Sequence, residues 1–159
     1  ENYRKLSRLS TPMLAPVEVG ELLGDIKKLF PSSKVRYIYK VEDESRKLMI
    51  DRSQMEQVLI NLLKNAGEAC MDQPNPEVVV ETDYQAENHI FRLSVTDNGC
   101  GILPEVVDRI FIPFFTTKPT GSGIGLSLCK QIMTLHGGSI RVKSELGKGS
   151  CFTLKLVVK

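Results

Sequence analysis

From about Ser53 to Met71, apolar side chains recur at helical spacing: Met55, Val58, Leu59, Leu62, Leu63, Ala66, Ala69 and Cys70. At 100° per residue these positions gather into one stripe, so the segment predicts a long amphipathic helix that must bury that stripe against another layer. Its opposite side is polar in a particular way. Gln57, Asn61, Lys64, Asn65 and Glu68 fall within a narrow arc, because spacings of three, four and seven residues nearly superpose on a helix. Such an arc is compatible with an ordinary solvated face. Two asparagines four apart are nonetheless unusual there, since asparagine is a mediocre helix former. An amide oxygen is also a suitable hard ligand for Mg²⁺, which takes few protein ligands and several phosphate or water oxygens.

The layer that receives this helix is a sheet. Strands are predicted near 35–41, 47–50, 77–83, 89–96, 139–143 and 150–157, each a short run of alternating or β-branched residues bounded by turn formers. An earlier helix begins near Val19, carries Leu22, Leu23, Ile26, Leu29 and Phe30 at helical spacing and is stopped by Pro31; a later one, about 125–135, ends at Gly137-Gly138. Residues 10–17, with Ser10-Thr11-Pro12 and Ala15-Pro16, read as a linker. Strands and helices in this order predict an α/β (α+β) two-layer sandwich, one mixed sheet with helices packed on one face and the other face wet.

Composition narrows the function classes. The 159 residues carry a formal charge of only +2 with the basic residues scattered, which speaks against nucleic acid as a partner. The four cysteines are far apart and form no CxxC pair, so they read as free thiols in a reducing cytosol rather than as a metal site or a disulfide framework. No apolar run approaches the roughly 20 residues needed to cross a bilayer. The expected localisation of this segment is cytoplasmic, whether or not a parent protein is anchored in a membrane.

Two further segments carry chemistry. Phe91, Leu93 and Val95 share one face of their predicted strand, and Asp97 continues that parity, aiming a carboxylate at the core side just before Asn98-Gly99-Cys100-Gly101. A buried carboxylate needs a donor, and an adenine amino group supplies one, whereas guanine would present a carbonyl to it. A tight turn is the other use of Asp-Asn-Gly. The second segment runs from Ile110 through Phe111, Phe115, Thr116, Thr117 and Lys118 to Gly121-Ser122-Gly123-Ile124-Gly125-Leu126. Small residues, a cation, hydroxyls and a helix N-terminus suit a lid over phosphates. Glycine-rich turns before helices are also common without any nucleotide.

In this order the segments resemble the GHKL ATP-binding superfamily, specifically its histidine kinase branch. The N box matches Gln57 to Ala66, the first glycine box Asp97 to Gly101, the F box Phe111 to Lys118, the second glycine box Gly121 to Leu126, and a final motif Gly147-Lys148-Gly149-Ser150-Cys151-Phe152. The resemblance spans about residues 18–158 and implies the Bergerat fold, with ATP and Mg²⁺ as cofactors. By it, Asn65 would coordinate Mg²⁺ and Asn61 would sit beside metal and phosphates. Asp97 would bind the adenine amino group, with Gly99, Gly101, Ile102 and Ser150 around the purine. Lys64, Thr117, Lys118, Gly121, Ser122, Gly123, Ile124, Gly125 and Leu126 would shape the phosphate side and lid, Asn61 and Lys118 being the catalytic candidates.

Where hydrolysing relatives have a water-activating glutamate, this chain has Asn61, a neutral amide that cannot act as a general base, which favours transfer to a partner. Many histidine kinases have a basic residue where Glu68 stands; Lys64 either takes that task or points to solvent. By the resemblance, the acceptor histidine lies on an upstream dimerisation hairpin; His89, in a predicted strand, and His136, before Gly137-Gly138, both read as structural. Residues 1–17 are accordingly expected to be the tail of that hairpin with a linker, and 18–159 the ATP-binding catalytic domain. The implied partners are the hairpin and a downstream response regulator, with a monomeric fragment of a homodimeric parent. An anti-sigma-type serine kinase and a nucleotide-binding pseudokinase are the alternatives.

Overall fold

The computed structural model describes residues 9–113, 115 and 125–158. Its elements are β1 (Ala15–Glu18), α1 (Val19–Leu29), β2 (Arg36–Lys40), β3 (Lys47–Ile50), α2 (Arg52–Cys70), β4 (Glu77–Gln85), β5 (Ile90–Asp97), α3 (Pro104–Val107), α4 (Gly125–Leu135), β6 (Ser139–Glu145) and β7 (Gly149–Val157). Five strands form one sheet in the order β2-β4-β5-β7-β6. β2 runs parallel to β4, and the other three pairings are antiparallel. The helices pack on one face of this mixed sheet, as the sequence predicts.

Period-two alternation decides which side of the sheet is dry. Val78 and Val80 of β4, Phe91, Leu93 and Val95 of β5, and Phe152, Leu154 and Leu156 of β7 are all buried against the helices. From above, α2 supplies Met55, Val58, Leu59, Leu62, Leu63, Ala66 and Cys70, while α1 adds Leu22, Leu23 and Ile26, and α4 adds Cys129, Ile132 and Met133. Ala69 departs from the predicted stripe and is exposed. It lies at the edge of the buried arc, and the buried residue next to that arc is Gly67, over which the Tyr37 hydroxyl lies so closely that a Cβ there would meet it at 2.5 Å. Glycine at 67 leaves room for the Tyr37 hydroxyl beside α2.

The N-terminus of α2 is tied down at three points. Asp51 caps it, accepting the Gln54 N–H at 3.1 Å. The other oxygen of Asp51 accepts the Met13 N–H at 2.9 Å, and Gln54 Nε2 donates to the Ser10 carbonyl at 2.9 Å. The backbone N–H groups of Met13 and Gln54 hold the Asp51 carboxyl below its ordinary value. The segment read as a linker is therefore docked, and its last part is a strand: β1 pairs antiparallel with β3 in a separate two-stranded sheet. Pro16 sits within it because a proline, lacking a donor, is tolerated on an edge strand.

His136 acts structurally: its Nε2 accepts the Asp51 N–H at 3.0 Å while Nδ1 lies 2.9 Å from the Ile132 carbonyl, so the end of α4 is fastened to the start of α2. His89 is outside the strand in which it was expected. It occupies the β4–β5 turn with φ 55°, its carbonyl accepting the Val158 N–H at 2.7 Å, and β5 begins one residue later. The four cysteines are free, Cys70 and Cys129 buried, Cys151 half-buried and Cys100 exposed. No helix among the described residues is long and apolar enough to cross a membrane.

Candidate nucleotide-binding site

β5 delivers Asp97 where its parity requires, on the helix side and only 4% exposed. One oxygen accepts the Gly99 N–H at 2.9 Å. Burial pushes the carboxyl above its ordinary range, and hydrogen bonds from the Gly99 and Ser150 backbone pull partly the other way. Here is a carboxylate whose charge the fold penalises. The loop that follows is not a hairpin turn, since the chain runs on from it into α3. It is braced on all sides: Asn98 accepts the Glu77 N–H at 2.9 Å and donates to the Asn75 carbonyl at 2.7 Å, and the Gly147 N–H donates to the Cys100 carbonyl at 2.9 Å.

Glycine is required at two points of this cradle. Gly99 lies against α2, where a Cβ would stand 2.4 Å from the Ala69 carbonyl oxygen. Gly149, with φ +117°, lies against β5, where a Cβ would stand 2.0 Å from the Asp97 carbonyl oxygen. The C-terminal end of α2 thus abuts the loop one turn beyond Asn65. Ser150 is buried opposite Asp97 in the β5–β7 register.

Along α2 the predicted arc divides. Asn61 and Asn65 are half-buried, whereas Gln57, Lys64 and Glu68 are exposed. Asn61 faces the first turn of α4: a Cβ on Gly125 would stand 3.4 Å from its Oδ1. The buried Cys129 thiol nearby donates to the Val58 carbonyl at 3.8 Å; burial pushes it up to about 12, and the Asn61 side chain pulls partly the other way. Leu126 is half-buried against the core, and Phe111 stacks edge-on against Phe152 with centroids 6.3 Å apart. Thr117, Lys118, Gly121, Ser122, Gly123 and Ile124 lie outside the described residues, as does Phe114. A separate concavity of about 280 Å³, lined by Asp83, Arg92, Ser94, Cys151 and Thr153 among others, opens on the sheet's other face.

Residues 50–159 match the family described as histidine kinase-, DNA gyrase B- and HSP90-like ATPases. The chain belongs to this family. It is 38% identical over 140 residues to the signal transduction histidine-protein kinase AtoS of Escherichia coli, covering 88% of this chain and 22% of that protein. It is 36% identical over 127 residues to the sensor histidine kinase ZraS of Salmonella typhi, covering 80% of this chain and 27% of that one. The chain therefore spans about a quarter of the length of these relatives. Among solved structures, the nucleotide-free catalytic domain of histidine kinase ThkA superposes with a TM-score of 0.80 at 30% identity, covering 91% of this chain and 95% of that one. Full-length ShkA in complex with AMPPNP superposes with a TM-score of 0.85 at 25% identity, covering 99% of this chain and 34% of that one.

As a histidine kinase-like ATPase domain, the chain has the Bergerat architecture that its sequence predicts. Two neighbours of the site went unnoticed in the sequence. Cys129 reads there as an ordinary core thiol, and nothing in its spacing shows that it lies under Asn61. Ser144 falls one residue past the predicted end of its strand; extending the alternation of Ile140 and Val142 by two residues places it on the helix side, opposite Ser150.

Proposed function

We propose that this domain binds Mg-ATP and presents the γ-phosphoryl group to a histidine on a separate dimerisation hairpin, within a two-component signalling protein. The observation that carries the reading is Asp97, a buried carboxylate held in place by backbone donors at the end of β5, in a cradle of glycines that admits close backbone approach. An adenine amino group is the donor that suits it. Asn61 and Asn65, half-buried one turn apart on α2, offer amide oxygens on the phosphate side.

The donor set also suits the metal. Among the described residues no group of three His, Cys, Asp or Glu stands together. A Mg²⁺ that keeps mostly phosphate and water oxygens, with Asn65 as its protein ligand, asks for no such group. Bound there, the ion would neutralise phosphate charge. The chain's own residues do the remainder: Asp97 orients the purine, Asn61 supplies a neutral amide that does not activate water, and Lys118 with the 121–126 glycines covers the phosphates. Phosphoryl transfer is chiefly positioning and charge neutralisation, so a rigid purine anchor and an amide pair fit its demands. The relatives in which this family occurs are named as sensor kinases, and ThkA is known in complex with the response regulator protein TrrA, which supports a response regulator as the downstream partner.

The test is calorimetric titration of ADP and ATP, with and without Mg²⁺ and with GTP as control, followed by transfer of labelled phosphate to a supplied hairpin domain. Adenine-selective binding with transfer to histidine is expected. A folded domain that binds no adenine nucleotide would sink the reading.

A further inference from the structure

The β6–β7 hairpin places a hydroxyl at the seam between the strand pair and the glycine loop. Ser144 lies in register with Ser150. Its Oγ accepts the Ile102 N–H at 2.7 Å, donates to the Gly149 carbonyl at 3.2 Å and stands 2.9 Å from the Ser150 Oγ. A serine hydroxyl has one proton and two lone pairs. With the proton directed at Gly149 and one lone pair taken by Ile102, the remaining lone pair faces Ser150, whose own proton must then point toward Ser144. One side chain therefore anchors the far end of the 97–102 loop, the start of β7 and the rotor of Ser150.

The surroundings make that anchor consequential. Asp97 and Ser150 are both buried and face each other across β5 and β7, and the Ser150 backbone is among the donors to the Asp97 carboxylate. The hairpin touches the loop again where a Cβ on Gly101, at φ +82°, would stand 2.5 Å from the Glu145 carbonyl oxygen. The Ile102 end of the loop is thus joined to the hairpin at Ser144 and Glu145, three residues from the Gly99 N–H that holds the carboxylate.

We propose that Ser144 is a positioning residue for the purine subsite, fixing the loop and the Ser150 hydroxyl so that Asp97 meets the adenine amino group in one geometry. The proposal rests on the nucleotide-binding reading above. Its test compares Ser144→Ala, Ser144→Val and Ser144→Thr in the 159-residue chain by ADP calorimetry and by amide exchange of Ile102. Valine and threonine have the same shape and differ in the hydroxyl, so this pair remains informative if the alanine variant does not fold. Ser144→Val and Ser144→Ala should weaken ADP binding by about tenfold, the scale of one net hydrogen bond, and hasten Ile102 exchange, with Ser144→Thr restoring both. A folded Ser144→Val that binds ADP within twofold of the parent, or a folded Ser144→Thr that binds as poorly as the valine variant, overturns the proposal while leaving the nucleotide reading intact. If the parent chain itself binds no ADP, the nucleotide reading fails and the positioning role fails with it, even where Ile102 exchange still responds to the hydroxyl.

Discussion

Replacing Asp97 with asparagine should move stability and affinity in opposite directions. In the free domain the carboxylate is 4% exposed and burial disfavours its charged form. Asparagine keeps an oxygen for the Gly99 N–H and removes the charge, so Asp97→Asn should stabilise the domain by about 1 kcal/mol, a rise in Tm of about 2–4 °C at this size. The bound state loses instead. A hydrogen bond between a carboxylate and an adenine amino group contributes about 1.5–3 kcal/mol, so ADP affinity should fall about 10- to 150-fold. The upper part of that range is expected, because an asparagine whose oxygen stays on Gly99 turns its NH₂ toward the adenine NH₂, donor against donor. Thermal melts and calorimetry at pH 7 on the same samples give both numbers. The pH dependence supplies a third. The ionised carboxylate is the form that accepts the amino proton, so ADP affinity should decline as pH falls through the Asp97 pKa, beginning above the ordinary 3.8 because burial has raised it. For stability the sign is reversed: the native state holds this proton more tightly than the unfolded chain, so Asp97's contribution falls as pH rises from 3.8 through the raised value. Both trends should vanish in Asp97→Asn. A variant that is less stable than the parent and binds ADP equally well would refute the assignment of this carboxylate to the purine.

The remaining predictions concern how the site is held. Gly149→Ala places a Cβ 2.0 Å from the Asp97 carbonyl oxygen at φ +117°, and should cost about 2–4 kcal/mol in urea denaturation and weaken ADP binding. Gly67→Ala should cost about 1–3 kcal/mol, because its Cβ would meet the Tyr37 hydroxyl at 2.5 Å. In a Tyr37→Phe background the nearest ring atom is 3.6 Å away, so the same change should become neutral or stabilising through helix propensity, as a double-mutant cycle would show. Asp51→Ala should cost about 0.5–2 kcal/mol by loss of the α2 cap and should free residues 10–13 to proteolysis. In the parent, Asp51's stabilisation is present above 3.8 and is lost as pH falls through its depressed folded value.

What was legible in the sequence follows from which forces are local. The stripe of α2 and the alternation of β5 are written in residue periodicity, and they place Asn61, Asn65 and Asp97 correctly without any partner in view. Proline at 16 reads as a break because propensity favours that; the strand exists because β3 has an edge to pair, and an edge strand tolerates a residue without a donor. Ala69 and His89 were misplaced by one step of a periodicity that ends where a turn or a close backbone contact takes over. Ser144 and Cys129 were invisible for a different reason: each acts on the site through a residue more than 40 positions away, and no pattern along the chain marks such a contact.

That division bears on how the site works. Asp97 and Gly99 are held by β7, the β6–β7 hairpin and the C-terminal turn of α2, while Asn61 packs against α4, which begins at Gly125. α4 is in turn fastened at its far end, through His136, to the cap of α2. The purine anchor is therefore fixed to the sheet, and the Asn61 amide is fixed to the helix pair. A shift of the first turn of α4 would move packing against Asn61 and leave Asp97 in place. On the proposed function, affinity for the purine and competence for transfer should be separable by substitution: changes around Gly149 and Ser150 are expected to act on the first, and changes at Gly125 and Cys129 on the second.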